Sequence, residues 1–178
     1  LERFHQTAEK FDADIIVRIT GDCPLLDAQL VDDVIEGYLS AGVDYFSNVL
    51  PPTYPDGLDI EVFSKAALDK AHFESVEEFD REHVTPYIRN SGQFSTSGVT
   101  YKDDLSNMRW TLDEPEDFEL IYSIFNHFKP DIYFSWLEIL EYYYANSSVF
   151  EVNSAIARNA GSNMGTGQKL YNRAKRVI

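Results

Sequence analysis

Two aspartates in this 178-residue chain stand where a strand pattern gives way to a turn. Asp22 follows the run Ile15–Thr20 and Asp113 follows Met108–Leu112. Each has a proline close behind, Pro24 and Pro115, which fixes the chain as it leaves the sheet. In parallel α/β sheets ligands bind beyond the carboxyl ends of the strands. Two carboxylates from separate strand ends can hold one Mg²⁺ beside a triphosphate, since Mg²⁺ commonly takes one or two carboxylates plus phosphate oxygens and water. The commoner role of an Asp after a strand is a helix cap or turn former, and the spacing alone does not separate the two.

Further candidates cluster in two places. Asp56-Gly57-Leu58-Asp59-Ile60-Glu61-Val62-Phe63 alternates acids with apolar residues at the period of a strand, which puts Asp59 and Glu61 on one face. Carboxylates there can accept hydrogen bonds from sugar hydroxyls; the commoner reading is a solvated face. Arg81-Glu82-His83, with Arg89 beyond it, lies on a helical stretch. Arg81 can meet an anionic group through its planar fork or pair on the surface with Glu77. His83 can act as a base or be structural.

The elements that would position these residues alternate. Leu1, Phe4, Ala8 and Phe11 repeat at helical spacing, ahead of the strand Ile15–Thr20. Asp27 caps a helix that Gly42 stops, and Val43–Ser47 is a second strand. Leu58–Phe63 is a third, after which Ser64 caps a helix. The stretch Val76–Asn90 is split by Pro86, and Phe94–Tyr101 and Met108–Leu112 read as two more strands. Pro115 starts a helix with Glu114, Glu116 and Asp117 at the positive end of its dipole, and Ser135 caps the next. The pattern predicts a three-layer α/β/α sandwich with a mainly parallel sheet. Residues 1–158 form this domain, 159–167 a Gly-, Asn- and Ser-rich linker, and 168–178 a basic segment without acids that opens a further helix.

Composition excludes several classes. The chain is 44% hydrophobic and 14% aromatic, enough to bury a core. Thirty acidic against 15 basic residues, net −15, argue against nucleic acid and against an anionic membrane surface, so phosphates must be met by local arginines and a cation. One cysteine excludes an internal disulfide and a cysteine-rich zinc site, and fits a reducing cytoplasm. No apolar run approaches the roughly 18 residues of a membrane span. His5, His72, His83 and His127 lack metal-ligand spacing, and neither a Gly-x-Ser-x-Gly elbow nor a phosphate loop of the Gly-Lys-Ser/Thr kind is present.

Four segments, in this order, carry a resemblance: Arg18-Ile19-Thr20-Gly21-Asp22-Cys23-Pro24-Leu25, Tyr54-Pro55-Asp56-Gly57-Leu58-Asp59-Ile60-Glu61-Val62-Phe63, Arg81-Glu82-His83-Val84-Thr85-Pro86-Tyr87-Ile88, and Arg109-Trp110-Thr111-Leu112-Asp113-Glu114-Pro115-Glu116-Asp117-Phe118. Together they resemble the cytidylyltransferase family of spore-coat polysaccharide biosynthesis, related to the CMP-sialate and CMP-Kdo synthetases. The resemblance covers Leu1 to about Asn159. It implies a nucleotide-diphospho-sugar transferase-like fold and Mg²⁺-dependent transfer of CMP from CTP to an acidic sugar, releasing pyrophosphate. It places the metal on Asp22 and Asp113, and the substrate on Asp56, Gly57, Asp59, Glu61, Arg81, His83 and Arg109.

The family opens with a first strand and a loop Gly-Ser-Thr-Arg-Leu-Pro-Gly-Lys around the nucleotide phosphates, and this stretch is not in the chain. The resemblance therefore implies a domain lacking its first strand and phosphate loop, inactive alone, with an exposed sheet flank prone to self-association. The segment Gln168–Lys175 is similar to the first helix of a glutamate-semialdehyde-aminomutase-like aminotransferase, which implies a fused aminotransferase domain; a homodimer is the other protein partner expected. The alternatives are a sugar-nucleotide-dependent glycosyltransferase, for which the only Asp-x-Asp, Asp12-Ala13-Asp14, stands before a strand, and a non-catalytic sugar-binding or dimerisation remnant.

Overall fold

Local capping chemistry sets most helix boundaries. In the computed structural model, which describes residues 1–158 and 160, the Asp27 carboxylate accepts from the Leu30 amide at 2.9 Å and starts helix α2 (Ala28–Ala41). Gly42, at φ +63°, ends it in the left-handed region. The Ser64 hydroxyl accepts from the Ala67 amide and starts α3 (Lys65–Glu74). Pro86 divides the next stretch into α4 (Glu78–His83) and α5 (Pro86–Asn90). Helix α1 spans Glu2–Lys10, and Asp12, at φ +50°, turns the chain out of it. Helix α6 (Pro115–Phe128) opens with a Glu114–Asp117 capping box, and α7 (Trp136–Ala145) with a Ser135–Glu138 box. The expected tail 168–178 and most of the expected linker lie outside the described residues.

The chain forms two compact units. The first comprises Leu1–Thr20, Asp27–Tyr54 and Asp59–Asp103. Its sheet holds β1 (Ile15–Arg18), β2 (Tyr45–Ser47), β3 (Glu61–Ser64) and β4 (Thr96–Gly98) in the order β1-β3-β2-β4. β3 runs against both neighbours, with Arg18 opposite Glu61 and Tyr45 opposite Phe63, while β2 and β4 are parallel. Three of the four strands therefore share a direction, as expected of a mainly parallel sheet. The inserted reversed strand makes two of the three pairings antiparallel, which the periodicity did not reveal.

Helices cover both faces, completing the three layers. On one face Tyr45 and Phe63 pack with Ala67, Leu68 and Ala71 of α3, Ala8 of α1 and Ile88 of α5. On the other lies α2, where Gly37 gives room to the Phe46 ring: a Cβ at Gly37 would stand 2.6 Å from it. β1 is an edge strand with Ile15 and Val17 well exposed, and Ile19 beyond it is half exposed.

The second unit comprises Gly21–Leu26, Pro55–Leu58 and the described residues from Asp104 onward. Its apolar interior draws on Leu120 and Ile124 of α6, Ile139 and Leu140 of α7, Trp110, and Phe150 from a 3-10 turn at Ser147–Glu151. The expected strand Met108–Leu112 is here one parallel bridge between Asp56 and Arg109. Its partner segment is too short to extend the ladder, because Pro55 and Gly57 turn the chain and the Leu58 amide donates to the Pro55 carbonyl.

Candidate active site

The second unit gathers the candidates that came from distant parts of the chain. The Asp56 amide donates to the Met108 carbonyl at 2.9 Å and the Trp110 amide to the Asp56 carbonyl at 2.6 Å. This lays the Pro55–Leu58 turn against Met108–Thr111. Gly57 makes the approach possible. Its φ is +106°, and a Cβ there would come within 2.6 Å of the Trp110 carbonyl carbon and 2.7 Å of the Thr111 nitrogen. Only glycine meets both demands. The turn bearing Asp22 is held to the same segment, since its carbonyl accepts from the Leu112 amide at 2.8 Å and the Thr111 hydroxyl at 3.0 Å.

Arg109 is the hub. It is 4% exposed, and all three guanidinium nitrogens donate. Nε and Nη2 form a fork on Asp117 at 2.9 and 2.8 Å, Nη1 reaches Asp56 at 3.3 Å, and Nη2 also reaches Asp113 at 3.2 Å. Asp117, wholly buried, accepts five hydrogen bonds: the Arg109 fork, the amides of Asp113 and Glu114, and Asn153 Nδ2. Burial alone would raise its pKa, but donation from Arg109, Asn153 and the two amides outweighs this and holds the carboxyl below its ordinary range. For Arg109, burial would lower the pKa, yet the Asp117 hydrogen bonds and the charges of Asp117, Asp56 and Asp113 raise it.

Asp113 itself is exposed and Asp22 half-buried, with the Cys23 thiol 3.6 Å from the Asp22 carboxylate. The structure thus brings Asp22, Asp56, Gly57, Arg109 and Asp113 into one unit. Buried carboxylates are anchored by Arg109 while two accessible ones stand on adjoining backbone. Three carboxylates against one guanidinium leave the hub with two excess negative charges. The donor set, hard oxygen anions with negative charge to spare, fits a divalent cation such as Mg²⁺.

Asp59, Glu61, Arg81 and His83 belong to the first unit. Asp59 is half-buried. Glu61, expected on a solvated or sugar-facing edge, is 3% exposed and pairs with Arg18, Tyr45 and Arg89. Arg81 does not pair with Glu77. Its Nη1 donates to the carbonyls of His72 and Ser75 at 3.1 Å, closing the end of α3, and Nη2 lies 3.5 Å from Glu2. His83 packs its ring 4.4 Å from Phe79. Behind it the buried Val84 sits at φ +76°, ψ −57°, with the Thr85 amide donating to the His83 carbonyl, a strained γ-turn. Also in this unit, His5, Glu9 and Asp69 form a metal-capable trio that spacing did not reveal, but Lys65 Nζ already lies on both carboxylates.

Two important residues were missed. Asp117 was read only as a favourable charge at a helix start, although an acid three residues after Glu114 is also the capping-box signature. Asn153, 2% exposed, donates to the Arg109 carbonyl and to Asp117, and no local spacing announces it.

Comparison with known proteins shows the family to which the chain belongs. The family model described as Cytidylyltransferase matches residues 1–149, and the chain belongs to that family. It is 33% identical over 165 residues to the uncharacterized protein MJ1063 of Methanocaldococcus jannaschii, covering 90% of this chain and 65% of that protein. It is 31% identical over 140 residues to the spore coat polysaccharide biosynthesis protein SpsF of Bacillus subtilis, covering 74% and 56%. A solved cytidylyltransferase of Leptospira borgpetersenii superposes with a TM-score of 0.79 at 31% identity, over 84% of this chain and 63% of that one. The chain thus spans less than two thirds of the length of each of these relatives. Among the described residues no helix is long and apolar enough to cross a membrane.

Proposed function

We propose that this chain is the metal-holding portion of an enzyme that transfers CMP from CTP to an acidic sugar for surface or spore-coat polysaccharide synthesis, in the cytoplasm. The observation that carries the reading is the joining of the Asp22 turn to Leu112 and Thr111, which sets two accessible carboxylates on adjoining backbone beside an anionic hub. A sugar hydroxyl attacks the α-phosphorus, the bond to the β-phosphate oxygen breaks, the hydroxyl proton passes to solvent or a base, and pyrophosphate leaves. Asp22 and Asp113 would hold Mg²⁺, which when bound supplies charge neutralisation to the triphosphate. Arg109 and Asp117 touch no substrate in this reading; they fix the backbone that presents Asp113.

The reading also holds that a Gly-Ser-Thr-Arg-Leu-Pro-Gly-Lys loop outside this chain grips the phosphates. Losing one preorganised donor costs about 10²–10³ in rate, so the 178-residue chain should release no measurable pyrophosphate. A protein extended to the length of its relatives should do so with CTP, Mg²⁺ and an acidic nonulosonic sugar, and Asp22→Ala or Asp113→Ala should abolish it. Turnover by the shorter chain, or full activity of the extended Asp113→Ala variant, would remove the assignment.

A further inference from the structure

Glu61 opens β3 directly opposite Arg18, the last residue of β1, and Ser47, the last residue of β2. The three meet at the carboxyl edge of the co-directional strands, the edge where α/β sheets bind ligands. Arg18 Nη1 donates to one Glu61 oxygen. Tyr45 donates its hydroxyl to the other at 2.6 Å, and Arg89 of α5 lies 3.9 Å from it.

Two guanidinium ions therefore share a single carboxylate, leaving one excess positive charge in a protein whose net charge is −15. The donors are also incompletely used: Arg18 Nε and Arg89 Nε are both buried and have no hydrogen-bond acceptor among the described residues. A buried N–H without an acceptor is rare and points to a partner. The Nε atoms themselves have no accessible surface, but the side chains that carry them are 20% and 27% exposed at other atoms.

We infer that Arg18 and Arg89 bind one singly charged oxyanion of a ligand, a carboxylate, with Glu61 as the positioning residue that holds both forks. A carboxylate balances the residual charge and offers planar oxygens to donors of this geometry. The proposed function enters only in naming the owner of that group, the acidic sugar.

The test uses the 178-residue chain with ¹⁵N-labelled arginine, following each Nε–H resonance by NMR. Sodium acetate and inorganic phosphate are titrated in separate arms against sodium chloride of equal ionic strength. Acetate should shift the Arg18 and Arg89 signals saturably and leave Arg3 and Arg158 at the chloride baseline. Arg89→Lys keeps the charge and loses the fork, so acetate should bind at least about tenfold more weakly at Arg18. The melting temperature of that variant checks that it folds. Shifts no larger than with chloride, or unchanged acetate binding in Arg89→Lys, would overturn the site; saturation by phosphate alone would overturn the carboxylate assignment. No pyrophosphate release by the extended protein, with acetate binding intact, would remove the reaction and keep the site.

Discussion

Around Arg109 one guanidinium is shared by three carboxylates; around Glu61 one carboxylate is shared by two guanidiniums. Both hubs are buried and both are built on sequence-distant segments. The difference lies in what each leaves over. In the Arg109 hub all three guanidinium nitrogens donate, and surplus negative charge surfaces at Asp113. In the Glu61 hub each carboxylate oxygen accepts one hydrogen bond, and surplus positive charge remains with two N–H groups that have no acceptor among the described residues. Stoichiometry of the paired groups, more than burial, sets the sign of the charge that each place has left over.

The comparison can be broken hardest at Arg109. Arg109→Ala leaves the wholly buried Asp117 without its counter-charge and should cost about 3–5 kcal/mol, read from the urea midpoint. A loss below about 1 kcal/mol would mean that the hub is not a structural centre. Glu61→Gln keeps an acceptor for both arginines, which also reach solvent, so a smaller loss of about 1–3 kcal/mol is expected by the same measurement.

The Arg109 hub should also respond to pH. Asp117 has a lowered folded pKa, so its stabilisation is fully present above the ordinary carboxylate value near about 4 and is lost as pH falls through the lowered one. Melting temperature measured from pH 7 downward should therefore hold until below about pH 4, and Asp117→Asn should flatten that acid limb. The smallest effect belongs to Asp113→Asn. Its side chain is 39% exposed, and stability should change by less than about 1 kcal/mol, whereas under the proposed function the extended protein should lose its activity. Such a split between folding and turnover would sharpen the distinction between the anchoring and the presented carboxylates.

Helix starts were legible because capping is local: Asp27, Ser64, Pro115 and Ser135 each act within three residues of their own position. The direction of β3 was not legible, since alternation along a strand carries no information about which way its neighbours run. The same alternation misplaced Glu61. Period two puts it on a face, but its burial follows from Arg18, Tyr45 and Arg89, two of them at least 28 residues away in sequence or reached only across the sheet. Gly57 could be quoted as part of a motif, yet its reason, the backbone of Trp110, is a tertiary fact. Asp22 and Asp113 could be singled out because a strand-to-turn pattern is local, whereas the contact of the Leu112 amide with the Asp22 carbonyl is again a tertiary fact.

The hydrogen bond from Thr111 to the Asp22 carbonyl spans 89 residues. At synthesis rates of roughly 5–20 residues per second, the Asp22 turn emerges on the order of 5–20 s before its partner exists. Closing so long a loop is slow compared with forming helices α1 to α3. The turn must therefore wait, tethered but unanchored, while the first unit's helices can already form, and its final shape belongs among the late events of folding.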